Sequence, residues 1–378
     1  MSFKLLLLLV TIVSASLCLF AQGASGPNPD AAKALTRGDF PGAIRILDKD
    51  IANGKNLFES YRFRSDVKRM IGQFPGALED IDKAIELKAG DGRLYESRAQ
   101  LRMFMNHPPA EIAKDIDLAI AAGVKHEKVY ELRGMIRMNS NDFDGAIADY
   151  LIAISLKPEF ARAYIGLSAA YRGKKDNAKA IETLENFLST VESSDKKVGT
   201  VKGEVAAIAS IDILRPNGQS GLAGQDAVIY KEESGRQGPM TPESAQSMGE
   251  RLEQRKNTAG AYINLAQLYE MQGQYPKALE TIEKGLIIDR TSYFGIGIRG
   301  TIKIGLKDYS GAIDDLNLVL RLNQRNPDFF LRRGVAYLML KKDADAESDF
   351  AKYLEIVPGG KERLEQFKKA ALDERAAQ

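Results

Sequence analysis

The chain has 378 residues, 28% of them charged, and its 53 basic and 51 acidic side chains nearly cancel. A chain of this length buries a large core. The balance of charge excludes the basic field that nucleic-acid binding requires and the long acidic run of a solvating tail. Cys18 is the one cysteine and lies in the first apolar segment, so the rest of the chain holds neither a disulfide framework nor a thiolate metal site.

Residues 1–23 read as a secretory signal. Lys4 precedes an apolar run over residues 5–13 that resumes at Leu17 and ends at Phe20, and small residues follow, with cleavage expected after Gly23. The run is near the lower length limit of a membrane span, which leaves an uncleaved N-terminal anchor as the alternative. Leu17 stands where a lipidation signal carries a small residue, which disfavours lipidation at Cys18. The expectation is an exported protein, periplasmic or secreted, that touches a membrane only if this segment is retained or lipidated.

From residue 24 onward one phrase returns. A half-copy, Gly38-Asp-Phe-Pro-Gly-Ala43, is followed by Tyr61-Arg-Phe-Arg-Ser65, Tyr95-Glu-Ser-Arg-Ala99, Tyr130-Glu-Leu-Arg-Gly134 and Tyr164-Ile-Gly-Leu-Ser168. Each places an aromatic four residues before a small residue. An alanine follows a turn twelve residues later, at Ala77, Ala146 and Ala180. Apolar residues fall at helical spacing on both sides of each turn, so each copy reads as a helix hairpin. A small residue is needed where two helices cross closely. Pro158 closes a second helix because it lacks an amide donor.

The same copies vary together at two further positions. Three residues after the aromatic column stand Arg64, Arg98 and Arg133, and sixteen or seventeen residues beyond them Asp80, Asp115 and Asp149; where Leu167 replaces the arginine, Thr183 replaces the aspartate. The rear of the chain repeats the rule with Arg299 and Asp315, Arg333 and Asp349, and the exception with Leu265 and Thr281. This implies structural ion pairs from first to second helix, since a half-buried guanidinium requires its carboxylate. An anion-binding arginine ladder is the rival reading.

Between residues 193 and 257 the register is lost and glycine becomes frequent. Residues 205–214 and 227–231 read as strands around a turn at Pro216-Asn-Gly218, although the first run also suits a helix. Thr241-Pro-Glu marks a helix start, with that helix expected to end near Arg255 as the remnant of a missing repeat. The phrase then resumes in Tyr262-Ile-Asn-Leu-Ala266, Ile296-Gly-Ile-Arg-Gly300 and Phe330-Leu-Arg-Arg-Gly334, with Ala278, Ala312 and Ala346 in the alanine column. Pro358 ends the last copy, and a polar segment, residues 361–374, suits a capping helix.

These columns resemble the tetratricopeptide repeat family over roughly three quarters of the chain, with Tyr, Phe or Ile filling the leading aromatic column. The resemblance implies an all-α fold, a right-handed superhelical solenoid of about eight hairpins with one irregular insertion. The domain reading is a signal peptide (1–23), an array of about five hairpins (24–193), a Gly-rich insertion plus a helix (194–257), three further hairpins (258–358) and a capping helix (359–378).

In the resembled family the first helices line a concave ligand groove. Its inward positions at the front are charged and mixed: Glu59, Arg62, Asp66, Arg69, Arg93, Glu96, Met103, Phe104, Glu131, Met135 and Met138. At the rear they are largely apolar, and the candidate partner groove is Ile263, Met271, Phe294, Ile298, Ile304, Val335, Leu338 and Met339, with Asn264, Gln267 and Leu331 among them. Packing between neighbouring repeats is the alternative account of these residues. The Lys, Asn and Arg set with which some family members grip a chaperone carboxylate does not assemble, because Asp66 follows Arg62 where Asn is required.

No catalytic constellation, cofactor motif or metal-ligand spacing is present in the sequence; His107 and His126 fall in separate turns. The expected function is an exported, non-catalytic scaffold that binds a protein or peptide, with homo-oligomers open and nucleic acid excluded. The alternatives are an accessory or catalytic subunit with its site in residues 194–257, and a self-associating structural solenoid.

Overall fold

The computed structural model describes residues 28–198, 242–322 and 326–377, and among them it contains seventeen α-helices and no strand. They come in consecutive pairs: α1 (Pro29–Thr36) with α2 (Phe40–Ala52), α3 (Leu57–Met70) with α4 (Phe74–Leu87), α5 (Gly92–Phe104) with α6 (Pro109–Ala121), α7 (Glu127–Asn139) with α8 (Phe143–Leu156), and α9 (Ala161–Gly173) with α10 (Asn177–Val198). Then follow α11 (Pro242–Met271) with α12 (Tyr275–Ile288), α13 (Tyr293–Gly305) with α14 (Tyr309–Leu322), α15 (Pro327–Met339) with α16 (Asp343–Ile356), and the unpaired α17 (Lys361–Ala376).

The hairpin turns share one backbone solution. Each places a single residue at positive φ: Gly38, Gly72, Asn106, Asn141, Lys175, Gly273, Lys307 and Lys341. The next residue's N–H then donates to the carbonyl five residues back, as in Gln73 to Lys68 (2.8 Å) and Asp308 to Lys303 (2.9 Å), which satisfies carbonyls the helix end leaves open. Asp39, Asp142 and Asp308 accept from the N–H of Gly42, Gly145 and Gly311 and so start the second helix.

The small-residue and alanine columns meet. Ser65 Oγ donates to the carbonyl of Ala77 at 2.7 Å and Ser168 Oγ to that of Ala180 at 2.9 Å, while an added Cβ on Gly300 would lie 3.4 Å from the Ala312 carbonyl oxygen. Ala77, Ala146, Ala180, Ala278, Ala312 and Ala346 have no exposed surface. The helices of one hairpin thus cross backbone against backbone, and the aromatic columns fill the space on either side.

The chain divides into two compact units, Met1–Gly123 with Thr190–Arg251 and Val124–Ser189 with Leu252–Gln378. In the first, Leu47, Phe63 and Val67 form a core under α1 to α3, and Ile81, Leu94 and Leu101 one under α4 and α5. In the second, α9 and α10 stack directly on α11 and α12. Ile165 reaches within 3.5 Å of an added Cβ on Gly260, and the Tyr269 hydroxyl donates to Glu185, which Lys277 also meets at 3.0 Å.

The separate helix expected to end near Arg255 does not exist as such. It is the leading part of α11, which runs unbroken from Pro242 to Met271. Lys256, Asn257 and Thr258 contain no glycine or proline to break it, and Thr258 Oγ1 bonds back to the Gln254 carbonyl at 3.0 Å, inside the helix. The strand readings at residues 205–214 and 227–231 lie outside the described residues.

Candidate functional site

Within each arginine hairpin the guanidinium grips the second helix in two places. Arg133 Nε and Nη2 donate to Asp149 at 2.9 and 2.7 Å, Arg299 to Asp315 at 2.9 and 2.7 Å, and Arg333 to Asp349 at 2.8 and 2.6 Å. Arg64 and Arg98 hold Asp80 and Asp115 in the same way. Asp80 and Asp315 are the chief cause that holds the Arg64 and Arg299 guanidinium groups above their ordinary pKa. The aspartates are almost wholly buried, so the fork is the geometry their carboxylates require.

Two further contacts were not read from the sequence. A second cation one turn on reaches the same carboxylate: Lys68 on Asp80, Arg102 on Asp115 and Arg137 on Asp149 at 2.8 Å, and Lys303 on Asp315 at 2.9 Å. The arginine's remaining arm goes to the preceding hairpin, Arg98 Nη1 to Asp82 at 2.8 Å and Arg333 Nη1 to Asn317 at 2.7 Å. The signal lay in two more columns: four residues after the arginine stands a Lys or Arg in four of the five arginine hairpins and Tyr337 in the fifth, and sixteen before it stands Asp48, Asp82, Asp117, Glu283 or Asn317. Where the arginine is Leu167 or Leu265, the former column holds Tyr171 or Tyr269. Thr183 and Thr281 bond back to their own helix at 2.7 Å and leave no charge to be met.

The face of α3 turned away from α4 carries Glu59, Arg62, Asp66 and Arg69, spaced as one stripe two residues out of phase with Arg64 and Lys68. Arg62 pairs with Glu59 at 2.6 Å and Arg69 with Asp66 at 3.6 Å. Burial raises the Asp66 carboxyl against the pull of Arg69 and Arg62. On α5, Gln100 donates to Glu96 at 3.3 Å, and the exposed Phe104 stacks on Phe74 with ring centroids 5.5 Å apart.

In the second compact unit charges bridge the first helices of different hairpins. Arg162 on α9 donates to the buried Glu131 of α7 at 3.1 and 2.8 Å and approaches Glu253 of α11 at 4.0 Å. Burial raises the Glu131 carboxyl and Arg162 opposes the rise. Arg332 of α15 meets Glu270 of α11 at 3.6 Å and lies 5.3 Å from the ring centroid of Phe367 on α17.

The eight residues of the expected apolar groove do not form one open surface. Ile263, Ile298, Leu338 and Met339 are buried and Ile304 and Val335 half-buried, whereas Met271 and Phe294 are 57% and 40% exposed. The glycines of α13 account for this. An added Cβ would stand 2.9 Å from Ile263 Cδ1 at Gly295 and 2.2 Å from Phe329 Cζ at Gly297, so neighbouring helices press their side chains into α13. What remains to a ligand is Met271 and Phe294 with the half-buried Ile304 and Val335.

His107 lies 3.3 Å from Glu111, and the buried Nε of Arg102 is 3.7 Å from the same carboxylate without a hydrogen bond. Among the described residues no group of His, Cys, Asp or Glu side chains is arranged to hold a metal ion, and no helix is long and apolar enough to cross a membrane.

Two family models, both described as tetratricopeptide repeat, match the chain, one over residues 132–189 and 299–361 and the other over residues 259–292. A tetratricopeptide repeat protein from Parabacteroides merdae has the same fold, with a TM-score of 0.51 and 13% identity over 82% of this chain and 96% of that one. RNA polymerase II-associated protein 3 of Rattus norvegicus is 32% identical over 101 residues, 27% of this chain and 15% of that protein. Hsp70-Hsp90 organizing protein 3 of Arabidopsis thaliana is 24% identical over 160 residues, 42% of this chain and 28% of that protein. The chain therefore spans less than a third of either curated relative. Paired helices in one register, their shared columns and these matches define a helical repeat protein. The chain is a member of the tetratricopeptide repeat family.

Proposed function

We propose that this chain is an exported scaffold that holds a protein or peptide partner on the first helices of its second compact unit and carries out no catalysis itself. The observation that carries the reading is the exposure of Met271 and Phe294, large apolar side chains on first helices whose neighbours at the same face are buried. Apolar surface of this kind, with the Glu270–Arg332 pair next to Met271 in the chain, suits a peptide or helix that buries a few anchors and meets a polar rim. The match to a chaperone-organizing protein agrees with a protein partner.

Ile298 and Leu338 cannot test this, because an aspartate at either buried position would unfold the hairpin. Met271→Asp with Phe294→Asp does test it. The double variant is expected to keep its helical circular dichroism and melting temperature while losing the proteins that the native chain captures from a cell-envelope extract; unchanged capture overturns the site. Intact mass of the protein isolated from its cells tests export, with loss of residues 1–23 expected and a retained Met1 contradicting a cleaved signal.

A further inference from the structure

We propose that Glu131 and Tyr150 form a pocket for the ammonium group of a lysine side chain in a bound peptide. The inference names the chemistry of the partner and rests on the first helices being the face that holds it. The buried aspartates of the ladder, Asp80, Asp115, Asp149, Asp315 and Asp349, each use both carboxylate oxygens on an arginine fork. Glu131 is buried too, yet only its Oε1 is engaged, accepting from Arg162 Nε and Nη2 at 3.1 and 2.8 Å, and Oε2 accepts no hydrogen bond from the described residues. Tyr150 departs from its column as well. The same position in the other hairpins is Ile81, Ile116, Leu184, Ile282, Leu316 or Phe350, so Tyr150 alone brings a hydroxyl. Its side chain is 3% exposed and its Oη has no hydrogen-bond partner among the described residues. The ring lies between two glycines: an added Cβ would stand 3.0 Å from Cε1 at Gly134, and 2.4 Å from Cζ and 2.9 Å from Oη at Gly166. First helices elsewhere carry Phe63, Leu132 or Ile298 in the Gly166 column, and any such side chain would block the hydroxyl. Neither oxygen is sealed from solvent, because among the described residues Arg102 Nε is the buried side-chain polar atom that lacks a hydrogen bond.

Glu131 and Gly134 are three residues apart on α7, and Arg162 and Gly166 four apart on α9, so the carboxylate and the hydroxyl stand about one helical turn apart, roughly 5 Å. One nitrogen atom spans that distance with two bonds of about 2.8 Å. Charge selects an ammonium over a neutral amide. Burial holds the Glu131 carboxyl above its ordinary pKa although Arg162 and Lys128 oppose the rise, and Glu253 adds to it. The ionised carboxylate is therefore under-compensated where it stands. A charged donor supplies what is lacking, and its hydrogen bonds are about twice as strong as those of a neutral one. Arg162 has little more to give, since its fork is committed to Oε1 and its Nη1 lies 4.0 Å from Glu253. Met135, one turn beyond Glu131, and Ile165, next to Gly166, are half-buried apolar side chains against which the methylenes of a lysine can lie.

Methionine-methyl NMR of the full chain, titrated with an acetylated and amidated alanine peptide that carries one central lysine, tests the pocket. The Met135 resonance, identified by its loss in Met135→Leu, is expected to shift saturably. Glu131→Gln is expected to weaken binding by about tenfold or more and Tyr150→Phe by about threefold to tenfold, both with a native melting temperature. Tyr150→Phe keeps the ring between its glycines, so it reads the hydroxyl alone. The same peptide with its lysine acetylated is expected to give no saturable shift, and n-butylamine to bind more weakly than the peptide. Met271→Asp with Phe294→Asp should leave the lysine titration unchanged, so a failure of the partner face and a failure of this pocket are read separately. No saturable shift in the native chain overturns the proposal, as does a Glu131→Gln or Tyr150→Phe chain that binds as tightly as the native one. Equal binding of the acetylated peptide would reassign the pocket to a neutral donor, and equal binding of n-butylamine to a free amine; either result overturns the peptide-lysine assignment.

Discussion

At the scale of single residues the ion-pair columns behave as shared sites, and that changes what a mutation should do. Asp149 accepts from both Arg133 and Arg137 and is 1% exposed, whereas Arg137 has Asp142 at 3.7 Å and the Gly145 carbonyl at 3.1 Å besides. Removing Arg133 leaves a buried carboxylate that still has one cation. Removing Asp149 leaves two cations around one vacated position. Arg133→Leu is therefore expected to cost about 1–3 kcal/mol and Asp149→Leu about 3–5 kcal/mol, with urea unfolding as the measurement. Adding Asp149→Thr to Arg133→Leu should recover part of the loss, because Thr183 and Thr281 show a threonine at that column satisfied within its own helix. Equal destabilisation by the two single changes would mean that Arg137 contributes nothing to holding Asp149. The exposed pairs, such as Lys83 with Glu86, contribute little by comparison.

At the scale of the elements, the glycines of α13 show why the first helices were only partly legible in the sequence. Tyr61 to Ser65, Ser65 to Ala77 and Arg64 to Asp80 are separations within one hairpin, so periodicity exposes them directly. The burial of Ile263 and Ile298 depends on how closely α11, α13 and α15 approach, which is set by Gly295 and Gly297 against side chains from other hairpins. No single hairpin carries that information. Gly297→Ala places a methyl 2.2 Å from the Phe329 ring, which is 3% exposed and has nowhere to go. Overpacking is expected to cost about 1–3 kcal/mol, and the roughly 1 kcal/mol that alanine gains over glycine in a helix reduces this to a net loss of up to about 2 kcal/mol. Gly249→Ala on α11 is the control, since an added Cβ there meets nothing within 4 Å. It should stabilise by about 0.5–1 kcal/mol. Opposite signs in the two melting curves are the expected result; two gains would show that Phe329 moves aside at no cost.

At the scale of the whole molecule the question is whether residues 199–241 interrupt the repeats or merely leave them. The contacts across them favour the second. Tyr269 donates to Glu185, Lys277 meets the same carboxylate at 3.0 Å with its ammonium 4.2 Å from the centre of the Tyr269 ring, and Arg162 on α9 reaches Glu253 on α11. These groups join the hairpin before the segment to the hairpin after it, at the one junction where leucine replaces arginine in both adjoining repeats. Burial of Leu167 and Leu265 and the Glu185 cluster together take over there what the charged ladder does elsewhere. Repeat arrays draw their stability from such nearest-neighbour contacts and not from chain connectivity, and loop-closure entropy changes slowly with the nature of a long connection. Replacing residues 199–241 with a Gly/Ser linker of equal length should therefore leave the melting temperature of the array within a few degrees of the native value, while Tyr269→Phe with Glu185→Ala lowers it. The same linker chain separates the two functional readings. Capture that persists with the linker and disappears with Met271→Asp and Phe294→Asp places the partner on the first helices, whereas capture lost with the linker alone moves the function into the insertion and overturns the scaffold-face assignment.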